Sequence, residues 1–217
     1  MNLPPVRRIV TRSGRRIRGK FPSRKMGGMV EWESPHEAAA IRLFEFNPGV
    51  RAYYSQPSVE HYHDAFGNAH SFIPDFRVDW RHGGSLLVEV KSEADAVYPP
   101  TQHLLGLKAM AMQLQGKPYR VLTPAQMKSQ PLLENLELLE CHARGTLPAE
   151  ILQRIDALPK SSAFPVERIA HHLGGTPAVF RAVAHGLLHA DLQQLLNTES
   201  LIWHPNHMEA GDGTFPI

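Results

Sequence analysis

The stretch SFIPDFRVDWRHGGSLLVEVK, residues Ser71 to Lys91, has the pattern of a β-hairpin. Its first half alternates strictly, so one face of a strand carries Phe72, Phe76, Val78 and Trp80 and the other carries Ile73, Asp75, Arg77 and Asp79. RHGG is typical of a hairpin loop. In SLLVEVK, Leu87, Glu89 and Lys91 point to one side. The stretch therefore predicts two antiparallel strands, with Glu89 and Lys91 as same-face neighbours about 7 Å apart.

A helix is predicted before this hairpin, in SPHEAAAIRLFEF. Ser34 is its N-cap, Pro35 lies in the first turn, and Glu37 is the capping-box acid. Ile41 and Phe44 follow Glu37 at helical spacing, so we expect Glu37 on the face that packs inward.

The segments after this helix predict the rest of an α/β core. VRAYYSQPSVEHYH is extended chain interrupted at Pro57, and TQHLLGLKAMAMQLQ (101–115) is a helix. GKPYRVLT then has the composition of a buried strand. The order helix, strands, hairpin, helix, strand favours a mixed sheet flanked by helices.

The acids of the hairpin suggest a metal site for phosphodiester hydrolysis. Carboxylates from two adjacent strands and a neighbouring helix are the ligands that Mg²⁺ prefers, and Asp75, Glu89 and Glu37 are placed to supply them. Lys91 would orient or help deprotonate water and stabilise phosphate charge. This requires the first helix to cover the Glu89 face of the sheet. The alternative is that these residues form the solvated face of an ordinary hairpin.

The same residues resemble a known family. The ordered elements are Glu33 to Glu37, QP at Gln56, PDF at Asp75, EVK at Glu89 and the helix and strand that follow. Over roughly residues 20 to 125 they resemble the N-terminal domain of TnsA, the endonuclease subunit of heteromeric transposases, which has a restriction-endonuclease-like fold of the PD-(D/E)XK class.

The resemblance implies specific site residues. Glu37, Asp75 and Glu89 would ligate Mg²⁺, with Mn²⁺ as a substitute, and Lys91 would be the catalytic lysine. Glu33 is the second choice for the helical acid. Gln56 would be a DNA contact or a structural contact.

The resemblance also implies a function and partners. The protein would cut the non-transferred strand of double-stranded DNA at transposon ends, beside a TnsB-like DDE transposase and a TnsC-like AAA+ ATPase. Two alternatives stay open. One is a stand-alone restriction, repair or phage nuclease of the same fold, and the other is a non-catalytic DNA-binding assembly subunit.

Charge is distributed unevenly along the chain. Nine basic residues precede the first acid, Glu31: Arg7, Arg8, Arg12, Arg15, Arg16, Arg18, Lys20, Arg24 and Lys25. The rest of the chain has 14 basic against 21 acidic side chains, a net charge of −7. This favours a flexible basic arm that binds DNA phosphates. A solubilising tail and a segment that binds a protein partner are the alternatives.

The C-terminal part has the pattern of a separate small module. LPKSSAFPV, near residues 158 to 166, is typical of a linker. Two short helices joined through GGT follow, the second capped by Thr176, and then a strand or wing in NTESLIWHP. A winged-helix or helix-turn-helix domain is predicted, with a small helical bundle as the alternative. The predicted organisation is an arm at 1–30, a nuclease domain at 31–157 and a C-terminal domain at 158–217.

Composition indicates a cytoplasmic protein. The chain has 217 residues, of which 42% are hydrophobic, and its single cysteine, Cys141, excludes an internal disulfide. MNLPPVRRIV lacks the apolar run of a signal peptide, and no stretch predicts a membrane span. We expect a cytoplasmic, nucleoid-associated bacterial protein without a membrane partner.

Overall fold

The computed structural model describes residues 17–206 and 216–217. The chain forms two compact units. The first comprises residues up to Glu45 together with Val50–Met127, and the second comprises Phe46–Gly49 and Lys128–Ile217.

The first unit is α/β. Its elements, in chain order, are β1 (Gly19–Ser23), β2 (Gly28–Trp32), α1 (Pro35–Phe46), β3 (Val50–Ser55), β4 (Glu60–His63), β5 (Ala69–Phe72), β6 (Phe76–Trp80), β7 (Ser85–Val90), α2 (Glu93–Val97), α3 (Pro99–Leu114), β8 (Tyr119–Leu122) and α4 (Pro124–Met127).

The central sheet confirms the predicted hairpin and the predicted mixed sheet. Its strand order is β3-β6-β7-β8. The pairs β3–β6 and β6–β7 are antiparallel, whereas β7 and β8 are parallel. The parallel pair is possible because α2 and α3 carry the chain back across the sheet between the two strands.

Helix α1 begins as the sequence predicted but covers the other face of the sheet. Ser34 Oγ accepts a hydrogen bond from the Glu37 N–H at 3.2 Å, as in a capping box. The Phe44 ring meets the Phe76 ring edge-on, with centroids 5.3 Å apart. Phe76 pairs with Val88, so α1 packs on the Val88 face. The condition set for the metal site, that α1 covers the Glu89 face, is therefore not met by the body of the helix, because its large apolar side chains match the fully apolar face.

The predicted continuous strand from Phe72 to Trp80 is two strands in different sheets. β5 pairs with β4, and β6 begins at Phe76, after a break that contains Pro74. Proline has no N–H to donate to a strand ladder, which explains the break. As a result Phe72 and Phe76 do not share a face: the Phe72 ring contacts the Tyr119 ring edge-on at 6.1 Å, whereas Phe76 contacts α1.

Part of the predicted basic arm is a folded hairpin. β1 and β2 pair antiparallel over Gly19–Ser23 and Gly28–Trp32, and Lys20 makes an ion pair with Glu31 at 2.9 Å. The turn between them is fixed by buried Glu45 of α1. Its carboxylate accepts hydrogen bonds from the Ser23 hydroxyl at 2.6 Å and the Arg24 N–H at 2.8 Å. The expectation of a flexible arm is wrong for residues 19–30, and residues 1–16 lie outside the described residues.

The second unit combines helices with a small sheet. Its elements are α5 (Leu132–His142), α6 (Ala149–Asp156), β9 (Ala163–Pro165), α7 (Val166–Leu173), α8 (Thr176–Ala184), β10 (His189–Ala190) and β11 (Leu201–Trp203). The three strands form an antiparallel sheet in the order β10-β11-β9. The predicted strand in NTESLIWHP is therefore confirmed as β11.

Helix α5 belongs to this second unit, so the units divide between Met127 and Lys128 rather than near residue 158. Helix α5 packs against α8. Its buried Asn135 donates from its amide to the carbonyls of Leu192 at 2.8 Å and Gln194 at 2.7 Å. These long-range contacts of α5 carry no local sequence signal, which is why the linker pattern of LPKSSAFPV suggested a later boundary.

The turn between α7 and α8 depends on glycine. Gly174 ends α7 in the left-handed conformation, at a φ of 83°. Gly175 is the N-cap of α8, so the expectation that Thr176 caps this helix is wrong.

In the described part of the chain, no helix is long and apolar enough to cross a membrane.

Candidate active site

Asp75 and Glu89 lie side by side at one end of the β6–β7 hairpin. Phe76 and Val88 are register partners, so Asp75, one residue before β6, faces Glu89 across the strands. The Asp75 carboxylate accepts a hydrogen bond from the Val90 N–H at 2.7 Å. The Lys91 N–H donates to the Leu122 carbonyl at 3.0 Å, which extends the β7–β8 ladder to the lysine. The hairpin therefore brings together the three residues that the sequence singled out.

The Glu89 carboxylate is buried, with only 5% of the residue exposed, and is surrounded by donors. Lys91 Nζ lies 2.8 Å from its Oε1. Lys108 Nζ lies 3.1 Å from Oε1 and 3.3 Å from Oε2. The Tyr119 hydroxyl donates to Oε2 at 3.4 Å. Two ammonium groups and a phenol thus share one carboxylate.

Lys108 and Tyr119 are the site residues that the sequence analysis missed. Lys108 is 7% exposed and comes from α3, which reaches the Glu89 face of the sheet with this side chain. A signal was present, because Lys108 follows Leu105 by three residues and precedes Met112 by four, on the buried stripe of the helix. A lysine on an apolar stripe needs a buried partner, and here that partner is Glu89.

The Asp75 carboxyl has a strongly perturbed acidity. Burial raises its pKa to about 7, and the negative charges of Glu89 and Glu37 add to the increase. The Val90 N–H and the Lys91 ammonium act in the opposite sense. The raised pKa means that burial first, and the neighbouring carboxylates second, disfavour the charged form of Asp75.

Glu37 reaches the same site from the first turn of α1. Its Oε2 accepts a hydrogen bond from the Glu33 N–H at 2.8 Å, and its Oε1 accepts one from the Ser34 hydroxyl at 3.2 Å. Burial raises the Glu37 pKa, and the hydrogen bonds from Glu33 and Ser34, followed by the nearby Lys91 ammonium, partly offset this increase. Its charge acts on both Asp75 and Lys91, although the body of α1 packs on the opposite face of the sheet.

Gln56 connects the segment that contains Asp75 with the segment that contains Glu33, just before α1. Its N–H donates to the Asp75 carbonyl at 2.8 Å, and its side-chain amide donates to Glu33 Oε2 at 3.4 Å. The residue is 4% exposed and has a φ of 46°, in the left-handed region. Of the two roles left open for Gln56, this geometry favours the structural contact.

Lys91 remains an ammonium group at neutral pH. Burial alone would lower its pKa, but the carboxylate of Glu89, through its charge and its hydrogen bond, outweighs burial and raises the pKa. Asp75 and Asp95 contribute in the same direction. Lys91 is therefore suited to stabilise negative charge on a neighbouring group rather than to accept a proton.

The donor chemistry of the site suits a hard divalent cation. Carboxylate oxygens are the ligands of Mg²⁺, and the repulsion from Glu89 and Glu37 that helps raise the Asp75 pKa is what a bound cation relieves. Among residues 17–206 and 216–217, no three Asp, Glu, His or Cys side chains are gathered as a ready-made metal cage. The metal ligands therefore stay a prediction.

Comparison with known families identifies the nuclease core. Residues 47–124 match the family model described as the TnsA-like endonuclease N-terminal domain. This segment is similar to TnsA-like endonuclease domains. The resemblance predicted from the sequence is thereby confirmed. Asp75, Glu89, Lys91 and Lys108 lie inside the matched segment, whereas Glu37 precedes it. A comparison with curated proteins gives no match.

The residues predicted to bind DNA are only partly placed by the structure. Arg7, Arg8, Arg12, Arg15 and Arg16 lie outside the described residues. Arg18, Lys20, Arg24 and Lys25 lie in or beside the β1–β2 hairpin. Arg24 is exposed in the turn, whereas the Lys25 ammonium donates to the Phe44 carbonyl at 2.8 Å. Contact of these residues with DNA stays a prediction.

Proposed function

We propose that the protein is a Mg²⁺-dependent DNA endonuclease that cuts the non-transferred strand at transposon ends. The observation that carries the proposal is the convergence of Asp75, Glu89 and Lys91 inside a TnsA-like endonuclease domain. Three features support it: the partial burial of these groups, their mutual electrostatic influence and their position at the end of a two-stranded hairpin.

The residues have distinct roles in this proposal. Asp75 and Glu89 would hold the cation, with Glu37 as the third acid, and Mn²⁺ would substitute for Mg²⁺. The bound cation would neutralise charge on the phosphate and generate the nucleophile from water. Lys91 would stabilise the charge that develops on the phosphate oxygens, because its raised pKa keeps it cationic. Gln56 would fix the Asp75 backbone relative to the first turn of α1.

The partners in the proposal follow from the family and from the charge distribution. Double-stranded DNA would be contacted by the basic N-terminal residues, and a TnsB-like DDE transposase with a TnsC-like AAA+ ATPase would complete the complex. Acting on transposon DNA in bacteria, the protein would be associated with the nucleoid.

The second unit is part of the proposal as a winged-helix-like DNA-binding or assembly domain. Support comes from its two short helices, α7 and α8, joined by a glycine turn and accompanied by a three-stranded antiparallel sheet. This arrangement is common to winged-helix domains.

A nicking assay tests the catalytic assignment. The full-length chain would be mixed with the transposase and a transposon-end duplex in Mg²⁺, and cleavage of each strand would be followed separately. We expect Asp75→Asn and Lys91→Met each to lower the rate of non-transferred-strand cleavage by at least about 100-fold, since each removes a group that touches the reacting phosphate or its cation.

Glu137→Gln is the matched control, because Glu137 is an exposed acid on α5. It should cleave like the wild type. Unchanged cleavage by both Asp75→Asn and Lys91→Met would contradict the catalytic assignment and favour a non-catalytic assembly subunit. Efficient cleavage by the purified protein without a transposase would instead favour a stand-alone nuclease.

A further inference from the structure

Lys108 occupies the lone pairs of Glu89 that a metal ion would need. A carboxylate has about four acceptor positions, two on each oxygen. In Glu89, Oε1 receives Lys91 and Lys108, and Oε2 receives Lys108 and Tyr119. A cation that binds this carboxylate must therefore displace one of these donors.

Of the two ammonium groups, Lys108 is held less closely by Glu89. It bridges both oxygens at 3.1 and 3.3 Å, longer than the 2.8 Å contact of Lys91, whereas the Tyr119 hydroxyl at 3.4 Å carries no charge that could compete with a cation. In the same position the ammonium also lies 4.4 Å from the centre of the Phe72 ring. A cation–π contact would keep the ammonium stabilised after it leaves the carboxylate.

We propose that Lys108 is a positioning residue that acts as the internal counter-cation of Glu89. Its ammonium holds the Glu89 carboxylate beside Asp75 and Lys91 in the metal-free protein and competes with the divalent cation for it. The inference rests on the proposed function, because it assumes that Glu89 is a metal ligand. Its consequence is that Lys108 keeps metal affinity lower than the carboxylates alone would give.

The chain offers a matched control in a second lysine–glutamate pair of the same unit. Lys117 Nζ lies 2.6 Å from Oε2 of Glu60, a residue that is 6% exposed. Neither partner contacts Asp75, Glu89 or Lys91 in the hydrogen bonds and ion pairs of the described residues. Lys117→Met removes a lysine–glutamate ion pair whose lysine side chain is 46% exposed, against 9% for Lys108, and it leaves the site unchanged.

Metal affinity separates the proposed role from a purely structural one. Mn²⁺ binding to the full chain would be measured by calorimetry, without DNA and without turnover. We expect Lys108→Met to bind Mn²⁺ at least about tenfold more tightly than the wild type, because a positive charge next to the site is removed. Lys108→Arg keeps the positive charge, and its affinity for Mn²⁺ should stay within about twofold of that of the wild type. The affinity of Lys117→Met for Mn²⁺ should also match that of the wild type.

Two further variants keep the test decisive. Lys108→Gln retains a polar group against Glu89 and should also bind Mn²⁺ more tightly, so the result does not depend on the folding of Lys108→Met alone. In a Glu89→Gln background, Lys108→Met should no longer tighten binding by tenfold, because the carboxylate for which the two cations compete is gone.

The outcomes distinguish the inference from the proposed function. If the wild type binds Mn²⁺ and both uncharged Lys108 variants bind equally or more weakly, Lys108 has only a structural role and the inference is wrong. If neither the wild type nor the Lys108 variants bind Mn²⁺, the metal-dependent function is wrong and the inference falls with it.

Discussion

At the scale of single residues, Gln56 illustrates how the acidic site is held together. A buried glutamine with a positive φ is an unusual choice, since non-glycine residues rarely adopt this conformation. The conformation is compensated by its two hydrogen bonds, one to the Asp75 carbonyl and one to Glu33. The residue therefore positions the loop that presents Asp75.

This role predicts a stability effect without a DNA-binding effect. We expect Gln56→Ala to lower the free energy of unfolding by about 1–2 kcal/mol, because it removes a buried amide and its bond to Glu33. The salt dependence of DNA binding should not change, since the side chain has no access to phosphates. Urea denaturation and DNA titrations at several salt concentrations measure the two effects.

Arg24→Ala is the contrasting variant, because Arg24 is exposed in the β1–β2 turn. Its free energy of unfolding should stay within about 0.5 kcal/mol of the wild-type value. The slope of log K for DNA binding against log salt should fall by about one. A reduced slope in Gln56→Ala would mean that Gln56 contacts DNA after all.

Local sequence patterns predicted where the acidic side chains lie better than they predicted which side chains contact them. Alternation in β7 was enough to place Glu89 and Lys91 on one face, because strand geometry is local. Lys108 was missed although it lies on the buried stripe of α3, since a helical pattern shows that a side chain points inward but not what it meets. That meeting depends on how α3 packs on the sheet.

At the scale of elements, the β1–β2 hairpin is attached to α1 through a buried polar cluster. Glu45 accepts hydrogen bonds from the Ser23 and Tyr53 hydroxyls at 2.6 and 2.7 Å. The Lys25 ammonium donates to the Phe44 carbonyl nearby. Burial lowers the Lys25 pKa to about 7, although the Glu45 carboxylate opposes this effect and Arg81 reinforces it.

The lowered pKa predicts how stability depends on pH. Between about 7 and the ordinary value of 10.5, the unfolded chain binds a proton at Lys25 that the folded protein does not. Stability therefore rises with pH across this window, by at most about 1.4 kcal/mol per pH unit from this residue. Lys25→Met should remove this contribution, so the difference between wild type and variant should change steadily from pH 7.5 to 9.5.

Urea denaturation of the first unit at three pH values provides the measurement. Lys20→Met is the control, because Lys20 lies in the same hairpin and pairs with Glu31 near the surface. The free energy of unfolding of Lys20→Met should change with pH in the same way as that of the wild type. If the free energy of Lys25→Met also changed with pH as in the wild type, Lys25 would have an ordinary pKa in the folded protein.

At the scale of the whole molecule, the basic N-terminal residues fall into two groups. Five of them precede the described residues: Arg7, Arg8, Arg12, Arg15 and Arg16. The other four lie in, or directly before, a hairpin that is hydrogen-bonded to α1: Arg18, Lys20, Arg24 and Lys25. A deletion that tests DNA binding must therefore stop before β1, or it will also damage the fold.

Deleting residues 1–16 should weaken DNA binding and flatten its salt dependence. The deletion removes five arginines, so the slope of log K against log salt should fall by up to about 4.5. Filter binding or fluorescence anisotropy at several salt concentrations measures the slope. An unchanged slope would assign this segment to a protein partner.

The sequence by itself determined the parts of this protein that depend on neighbouring residues. These are the β6–β7 hairpin, the capped start of α1, the presence of strand β8 and the placement of Glu89 and Lys91 on one face. Strand alternation, helix caps and turn residues are local, so they can be read without knowing the fold.

Other features were decided only by the tertiary structure. They include the face of the sheet that α1 covers and the position of Phe72. They also include the contacts of Lys108 and Tyr119 with the Glu89 carboxylate and the start of the second unit before α5. Each depends on contacts between segments far apart in the chain, which are set by the shape and burial of whole surfaces. For the candidate active site, this means that the sequence supplied the acids and Lys91, while packing supplied the second ammonium group, Lys108, that contacts one of those acids.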